Sequence, residues 1–413
     1  MYRTMAAEQT PEALPASGTP VPELNSFERA AGEIMQTWSL PGGQLAVAKE
    51  GRLVFDRGYG MADREVGEPV QPYHRFRVAS VTKTITAVGM MRLVEQGRVS
   101  LDDAVFPMLN LPPPPGAVED PRLALITVRD LLVHAGGWNA EASGDPQYWP
   151  MSVAAAAMFE EGEVQTPESI IRFMLGSGLD YDPGSASMYS NFGFNVAGRV
   201  IEKVSGRSYG DFIQQEVFGP AGVVDMQLGK TRLADRAENE VRYYAPLGYP
   251  ATVPSVYPGD GYVPWAYGYF AMEIMDAHGG WIGSASDLLR YAVAIDGQRG
   301  TALLQPATIE EMVTAHRPPA QGYNGAANNE PATGLGWVVQ PGPTGQEWAH
   351  TGALGGSTGS LLLRLDDGTW LAFITNSLPI DFLSFFADLR TKLTSAAVEV
   401  TAWPSTDLFG SAR

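Results

Sequence analysis

The sequence predicts a mixed α/β (α+β) fold: an antiparallel sheet flanked by helices, assembled from both ends of the chain around an inserted, mainly helical domain. Three observations carry this reading. Partly alternating apolar runs suited to strands cluster before about residue 60 and after residue 330. The stretch between is written mostly in helical periodicity and Pro/Gly-rich loops. Turn signals sit where hairpins need them, Glu50-Gly51 in the first block and Asp367-Gly368 in the last.

Taken in order, residues 6–24 are acidic and rich in Pro and Ala, which predicts a flexible N-terminal segment over 1–25, with order starting near FERAAGEIMQTW. GQLAVAKEGRLVFDRGYG predicts a β-hairpin. FRVASVTKTITAVGMMRLVEQG carries apolar residues at helical spacing and stops at Gly97, predicting a long buried helix from about Ser80 to Gln96. PPPPG at 112–116 reads as a rigid turn, and TVRDLLVHAGG and NVAGRVIEKVSG as short amphipathic helices ending in glycine. Residues 241–270, aromatic but rich in Pro and Gly, predict a long loop, either packed on the core or forming an aromatic wall or lid over a pocket. Beyond 330, GLGWVVQP, EWAHTGALGG and GSLLLRLDDGTWLAFITN predict strands, and FLSFFADLRTKLTSAAVEV a closing helix. The expected partition is one domain over 26–400, with its sheet part at 26–80 and 271–400, its helical part at 81–270, and a tail at 401–413.

Composition narrows function. Forty-six acidic against 28 basic residues give a net charge of −18, which repels phosphate backbones and anionic lipid. Nucleic acid and membrane are therefore not expected as partners, and a small-molecule substrate is. With no cysteine, disulfides, thiolate metal sites and cysteine nucleophiles are excluded. No H-E-x-x-H or carboxylate–histidine cluster stands in the sequence, so neither a catalytic metal nor another cofactor is expected. No stretch reaches the roughly 18 apolar residues that span a bilayer, and the N-terminus lacks a signal peptide's apolar core. The chain reads as soluble and not visibly targeted; compartment and oligomeric state stay open.

Two serines compete as nucleophile. GGSTG at 355–359 satisfies the G-x-S-x-G pattern around Ser357, but a nucleophile elbow needs a helix after the serine and a histidine later in the chain. A hairpin follows Ser357, and the last histidine, His350, precedes it. Ser357 therefore reads as turn chemistry. The rival is Ser80 in SVTK. Residues i and i+3 share a helix face, so Lys83 can stand beside the Ser80 hydroxyl near a helix N-terminus that favours negative charge. A lysine enclosed by apolar neighbours gives up its proton more readily and can serve in base chemistry. Tyr189-Ser190-Asn191 adds a phenol that a nearby ammonium can tune and an amide with both donor and acceptor. S-x-x-K and Y-x-N each occur once in the chain.

SVTK, YSN and HTG (His350–Gly352), in this order and on these elements, resemble the serine β-lactamase and penicillin-binding protein superfamily, and more narrowly its class C β-lactamase, DD-peptidase and family VIII carboxylesterase branch. FRVASVTKTITA, ITVRDLLVHAGG, YSNFGFNVAGRVIEKVSG and GGWIGSASDLLRYAVA extend the resemblance over nearly all of residues 26–400. It implies a β-lactamase/transpeptidase-like fold and an acyl-enzyme. Ser80 would be the nucleophile, Lys83 its partner and Tyr189 the base and later acid. Asn191, His350 and Gly352 would line the substrate side, and the N–H groups of Ser80 and Ala353 would form the oxyanion hole. The departure is His350, where the family's third motif usually has lysine. Histidine is shorter and mostly uncharged at neutral pH, which points away from a substrate anchored by its carboxylate and towards a neutral ester or amide, with a carboxylic ester the preferred reading. A D-amino-acid-specific or DD-peptidase or amidase, a weak β-lactamase, and a non-catalytic binding protein on the same fold are the alternatives.

Other candidates read as structural. His134 ends a predicted helix, His278 lies among glycines at the edge of the expected site, and His74 and His316 have no suggestive company. LGKT at 228–231 has Val224 where a phosphate loop needs glycine.

Overall fold

The computed structural model of the protein describes residues 14–159, 165–316 and 332–410. Residues 1–13 of the expected flexible segment and 411–413 of the tail lie outside the described residues. The strands are β1 (Ala16–Ser17), β2 (Gly42–Lys49), β3 (Arg52–Asp63), β4 (Glu68–Pro69), β5 (Phe76–Arg77), β6 (Gln227–Leu228), β7 (Val253–Pro254), β8 (Tyr262–Val263), β9 (Trp281–Gly283), β10 (Ala332–Thr333), β11 (Val338–Pro341), β12 (Gln346–Leu354), β13 (Thr358–Arg364) and β14 (Trp370–Thr375). The main sheet runs β1-β3-β2-β14-β13-β12-β11-β10, with β4 added on β3. Every pairing in it is antiparallel.

The join between the two ends of the chain is the β2–β14 pair, in register from Gly43 opposite Thr375 to Ala48 opposite Trp370. Both faces of this sheet are covered, which explains why WLAFIT is apolar throughout rather than alternating with polar residues. Leu371 and Phe373 pack with Phe27, Ile34, Phe385 and Leu389 of the terminal helices Asn25–Thr37 and Phe382–Val398. Trp370, Ala372 and Ile374 point the other way, into the larger core shared with the helix Ala285–Ile295 and the helical block. Glu50 and Gly51 take left-handed backbone in the β2–β3 turn, as the hairpin reading requires.

The predicted Ser80–Gln96 helix is a 3-10 turn over Ala79–Val81 that continues as an α-helix over Thr82–Glu95. Its residues from Thr82 to Met91 are all buried, so it is the central helix of the helical block and not an amphipathic one. The helix Asn191–Ser205 crosses it and ends on Gly206 in the left-handed conformation. The reading of VHAGG differs in detail: the left-handed residue after the helix Val128–Leu132 is His134, not a glycine. The Pro/Ala-rich lead-in also departs from expectation, because Ala16-Ser17 pairs with Tyr59-Gly58 at the sheet edge and Pro22–Leu24 forms a 3-10 turn that buries Leu24.

Candidate active site

Three pieces of backbone meet at Ser80, each held by its own local chemistry. The first is the turn before the central helix. Ala79 has φ +45°, a left-handed conformation costly for a residue with a Cβ, and the surroundings hold it there. Val78 N–H donates to Trp281 O (3.0 Å) in β9, Ser360 Oγ donates to Val78 O (2.7 Å), and Thr358 Oγ1 donates to Arg77 O (2.8 Å). Behind the turn, the buried Arg77 guanidinium donates to Ala266 O and Lys230 O and lies 4.3 Å from the Tyr243 ring centroid. Arg77 also donates to Ser357 Oγ (3.1 Å), so the serine of GGSTG is buried and supports the turn from behind.

The second piece is Tyr189-Ser190-Asn191. Ser190 caps the helix Asn191–Ser205, its Oγ accepting from Gly193 N–H (3.0 Å), and this sets Asn191 in the first helical position. His134 underpins the loop: its Nδ1 accepts from Ser190 N–H (3.2 Å), its carbonyl accepts from Met188 N–H, and its ring lies 4.6 Å from that of Tyr189. Burial and the nearby Lys83 hold His134 well below the usual histidine range, so it is neutral, with its proton on Nε2. The expectation of a loop-bonding histidine describes it, and the loop it holds carries the motif.

The third piece is β12. β11 pairs with β12 only as far as Ala349, and beyond that point the edge carrying His350 to Leu354 lies against the Ala79–Val81 turn. Gly352 makes the approach possible. A Cβ there would stand 2.4 Å from Val78 O and 3.2 Å from Ala79 Cβ, so its function in the structure is close contact with the turn. His350 is buried, and its Nδ1–H donates to Thr351 O (2.6 Å). Burial, then the charge of Lys83, lowers its pKa to about 3.

Lys83 ties the pieces together. Its Nζ donates to Ser80 Oγ (3.0 Å), Asn191 Oδ1 (2.8 Å) and His278 O (2.9 Å), and lies 4.8 Å from the Tyr189 ring centroid. It is fully buried, and desolvation holds it well below the usual lysine range, partly opposed by Asp145. Ser80, Lys83, Tyr189 and Asn191 are thus brought together, and His278 joins them through its carbonyl. An amine that sheds its proton easily, in contact with a serine hydroxyl, can activate that hydroxyl for attack. His74 and His316 lie elsewhere, in hydrogen-bonded pairs with Glu68 and Glu311. Among the described residues there is no cluster of acidic and histidine side chains able to hold a metal ion, and no helix long and apolar enough to cross a membrane.

Sequence reasoning missed Asp145. Its Oδ2 accepts from Asn191 Nδ2 (2.7 Å) and its Oδ1 from Gln147 N–H (3.0 Å), and burial raises its pKa. Locally Asp145-Pro146-Gln147 reads as an ordinary Asx turn, and only the tertiary fold sets it beside Asn191. It lines a cavity of about 440 Å³ whose walls include Tyr148, Trp149, Trp265, Tyr269 and Phe270. The 241–270 loop therefore does two things. Tyr243, Tyr257 and Tyr267 are buried in the core, while Trp265 stacks on Tyr269 (3.9 Å) as a wall of the cavity. Gly355 and Gly356 leave room for Tyr249 and Trp265 against the β12–β13 turn.

The fold recurs in known proteins. Penicillin-binding protein 4* of Bacillus subtilis (strain 168) is 26% identical over 352 residues, covering 81% of this chain and 68% of that protein. Esterase EstB of Burkholderia gladioli is 28% identical over 315 residues, 72% of this chain and 75% of the esterase. Among solved structures, D-amino acid amidase from Ochrobactrum anthropi SV3, complexed with L-phenylalanine, superposes with a TM-score of 0.71 at 24% identity, over 92% of this chain and 99% of that one. The family model described as Beta-lactamase matches residues 27–393. That match runs from the first helix into the last and takes in the Ser80 turn, the Ser190 cap and the β12 edge, and the chain accordingly belongs to the Beta-lactamase family.

Proposed function

We propose that this serine hydrolase of the β-lactamase and penicillin-binding protein superfamily works through an acyl-enzyme on carboxylic esters. Ser80 Oγ attacks the ester carbonyl while Lys83, with Tyr189, takes the hydroxyl proton. The N–H groups of Ser80 and Ala353 hold the oxyanion. The proton then goes to the departing alkoxide, and water, deprotonated by the same groups, releases the acid and restores Ser80. The 3.0 Å contact between Ser80 Oγ and the desolvated Lys83 supports this division of labour.

One observation carries the choice of ester: His350, at the third motif, is buried and uncharged. Without a cation on β12, a substrate carboxylate has no charged anchor there, so a neutral carbonyl compound fits better than a penicillin or a peptide C-terminus. D-aminoacyl amides are the second reading, favoured by the Asp145 carboxylate next to Asn191. The test is hydrolysis of a p-nitrophenyl ester, a D-aminoacyl amide and a chromogenic cephalosporin side by side, with Ser80→Ala as control. The ester should turn over fastest and Ser80→Ala should abolish the activity. Full esterase activity in Ser80→Ala would overturn the assignment.

A further inference from the structure

A second cavity, of about 540 Å³, lies where residues 244–247 meet the segments that follow the first helix and β14. Trp38, Pro41, Pro246, Leu247 and Ile380 give it an apolar lining, and Leu247 (98% exposed) and Ile380 (56%) stand open to water. Apolar side chains this open, gathered round one concave surface, mark a place that binds something. Two polar groups of the lining say what. The Arg64 guanidinium lies 5.3 Å from the Tyr244 ring centroid, and Arg64 N–H donates to the Tyr244 hydroxyl (2.6 Å). That bond uses a lone pair of the phenol and leaves its O–H to donate. Among the described residues neither this O–H nor the Arg64 guanidinium has an acceptor. The carboxylates of neighbouring segments are engaged elsewhere: Asp63 with Arg236, Glu65 with Arg242, Asp388 with Trp38 Nε1 and Lys392, and Asp381 with Ser384 N–H. A guanidinium and a hydroxyl side by side at an apolar cavity match a carboxylate on an apolar body. The two groups donate to its oxygens, and its body displaces water from Trp38 and Leu247. Inorganic phosphate would leave the apolar walls wet, and a neutral apolar molecule would leave both donors unused.

The loop that lines this cavity also reaches the active site. Gly248 sits against Ile380, since a Cβ there would stand 2.5 Å from Ile380 Cδ1. One residue on, the Tyr249 ring packs edge-on against Trp265 (4.9 Å), a wall of the active-site cavity. A ligand that pushes on Leu247 and Ile380 therefore pushes on the partition behind Trp265. We propose that the cavity around Arg64 and Tyr244 is a second ligand site, which takes a small carboxylate with an apolar body and passes its occupancy to the active-site cavity through the 244–249 loop. The acid released from an ester belongs to this class, so the site senses product; that consequence rests on Ser80 as the nucleophile of an ester hydrolase, whereas the binding does not.

Two measurements on the full chain test it. The first needs no turnover: titration calorimetry with 4-phenylbutyrate and with its neutral analogue 4-phenylbutyramide, on Ser80→Ala protein with and without Arg64→Gln. The carboxylate should bind more tightly than the amide, and Arg64→Gln should weaken it by about 10-fold or more while leaving the amide unchanged. Equal binding of the two compounds, or carboxylate binding that survives Arg64→Gln, would overturn the site. The second measures hydrolysis of p-nitrophenyl acetate by protein with Ser80 intact. 4-Phenylbutyrate should alter kcat and not KM alone, and Arg64→Gln, with the wild-type rate in the absence of the acid, should no longer respond. Purely competitive inhibition that Arg64→Gln does not relieve would put the acid beside Ser80 and overturn the proposal. Arg64-dependent binding with no change in kcat would overturn the link through the loop and leave the site. Absence of hydrolysis together with Arg64-dependent binding would overturn Ser80 as the nucleophile and likewise leave the site.

Discussion

Replacing Gly352 with alanine tests whether the distance between β12 and the Ser80 turn sets the reaction geometry. An ideal Cβ at Gly352 lies 2.4 Å from Val78 O, 2.2 Å from Ser360 Oγ and 3.2 Å from Ala79 Cβ. Ordinary contacts need roughly 3.3 Å or more, so strand and turn must part by about 1 Å. Ser360 cannot simply rotate away without giving up its bond to Val78 O, which helps hold the turn. The displacement falls between the Ser80 and Ala353 amides, where a misplacement of about 1 Å costs roughly 100-fold in rate. Overpacking adds about 1–3 kcal/mol of instability. The assay is kcat/KM on a p-nitrophenyl ester beside thermal melting by circular dichroism. Gly89→Ala is the control: Gly89 lies on the helix that follows the Ser80 turn, more than two turns on, and its Cβ would meet the tip of Ile213 (2.6 Å) from a neighbouring helix. It should lower the melting temperature without a comparable loss of rate. A folded Gly352→Ala enzyme keeping more than about a third of the activity would refute the reasoning, as would equal rate losses in both variants.

Lys83→Met leaves Ser80 Oγ, Asn191 Oδ1 and His278 O without their shared donor, and kcat should fall by at least about 1000-fold. In wild type, activity should rise with pH along a limb centred below the ordinary lysine value of about 10.4, because the proposed mechanism uses the neutral amine; a midpoint at that value would contradict the desolvated lysine. His350, with a folded pKa of about 3, binds its proton more readily in the unfolded chain. Its contribution to stability is therefore present above about pH 6.5 and is lost as pH falls towards 3, at up to about 1.4 kcal/mol per pH unit. His350→Gln should make the pH dependence of urea unfolding shallower by that amount between pH 4 and 6, and identical slopes would count against a buried neutral histidine.

Ser80 and Lys83 could be paired from the sequence by local spacing, whereas Tyr189 and Asn191, which meet Lys83 only through the tertiary fold, were joined to them by the resemblance of SVTK and YSN to the family's motifs. An i,i+3 pair shares a helix face, and a serine N-cap fixes the residue that follows it. The strand–helix–strand order was legible for the same reason: hairpin dipeptides and helix stops are local signals. Asp145 was not, since its local chemistry is satisfied by its own turn and its contact with Asn191, 46 residues on, is tertiary. Gly352 was assigned from its motif to the substrate side, whereas its place against Val78 depends on packing between strand and turn. Ala16-Ser17 escaped notice because a two-residue edge pairing carries no periodicity to detect.

The β2–β14 join has a consequence for how the enzyme comes into being. Strands more than 300 positions apart in the chain must find each other before the sheet closes, a high contact order that makes folding slow. The Ser80 turn depends on the same event, because Thr358 and Ser360 of β13 tether Arg77 and Val78. A nascent chain still short of β13 carries Ser80 and Lys83 on a helix but lacks the strands that hold them in register. Hydrolytic competence is thus deferred until the last part of the domain has been made.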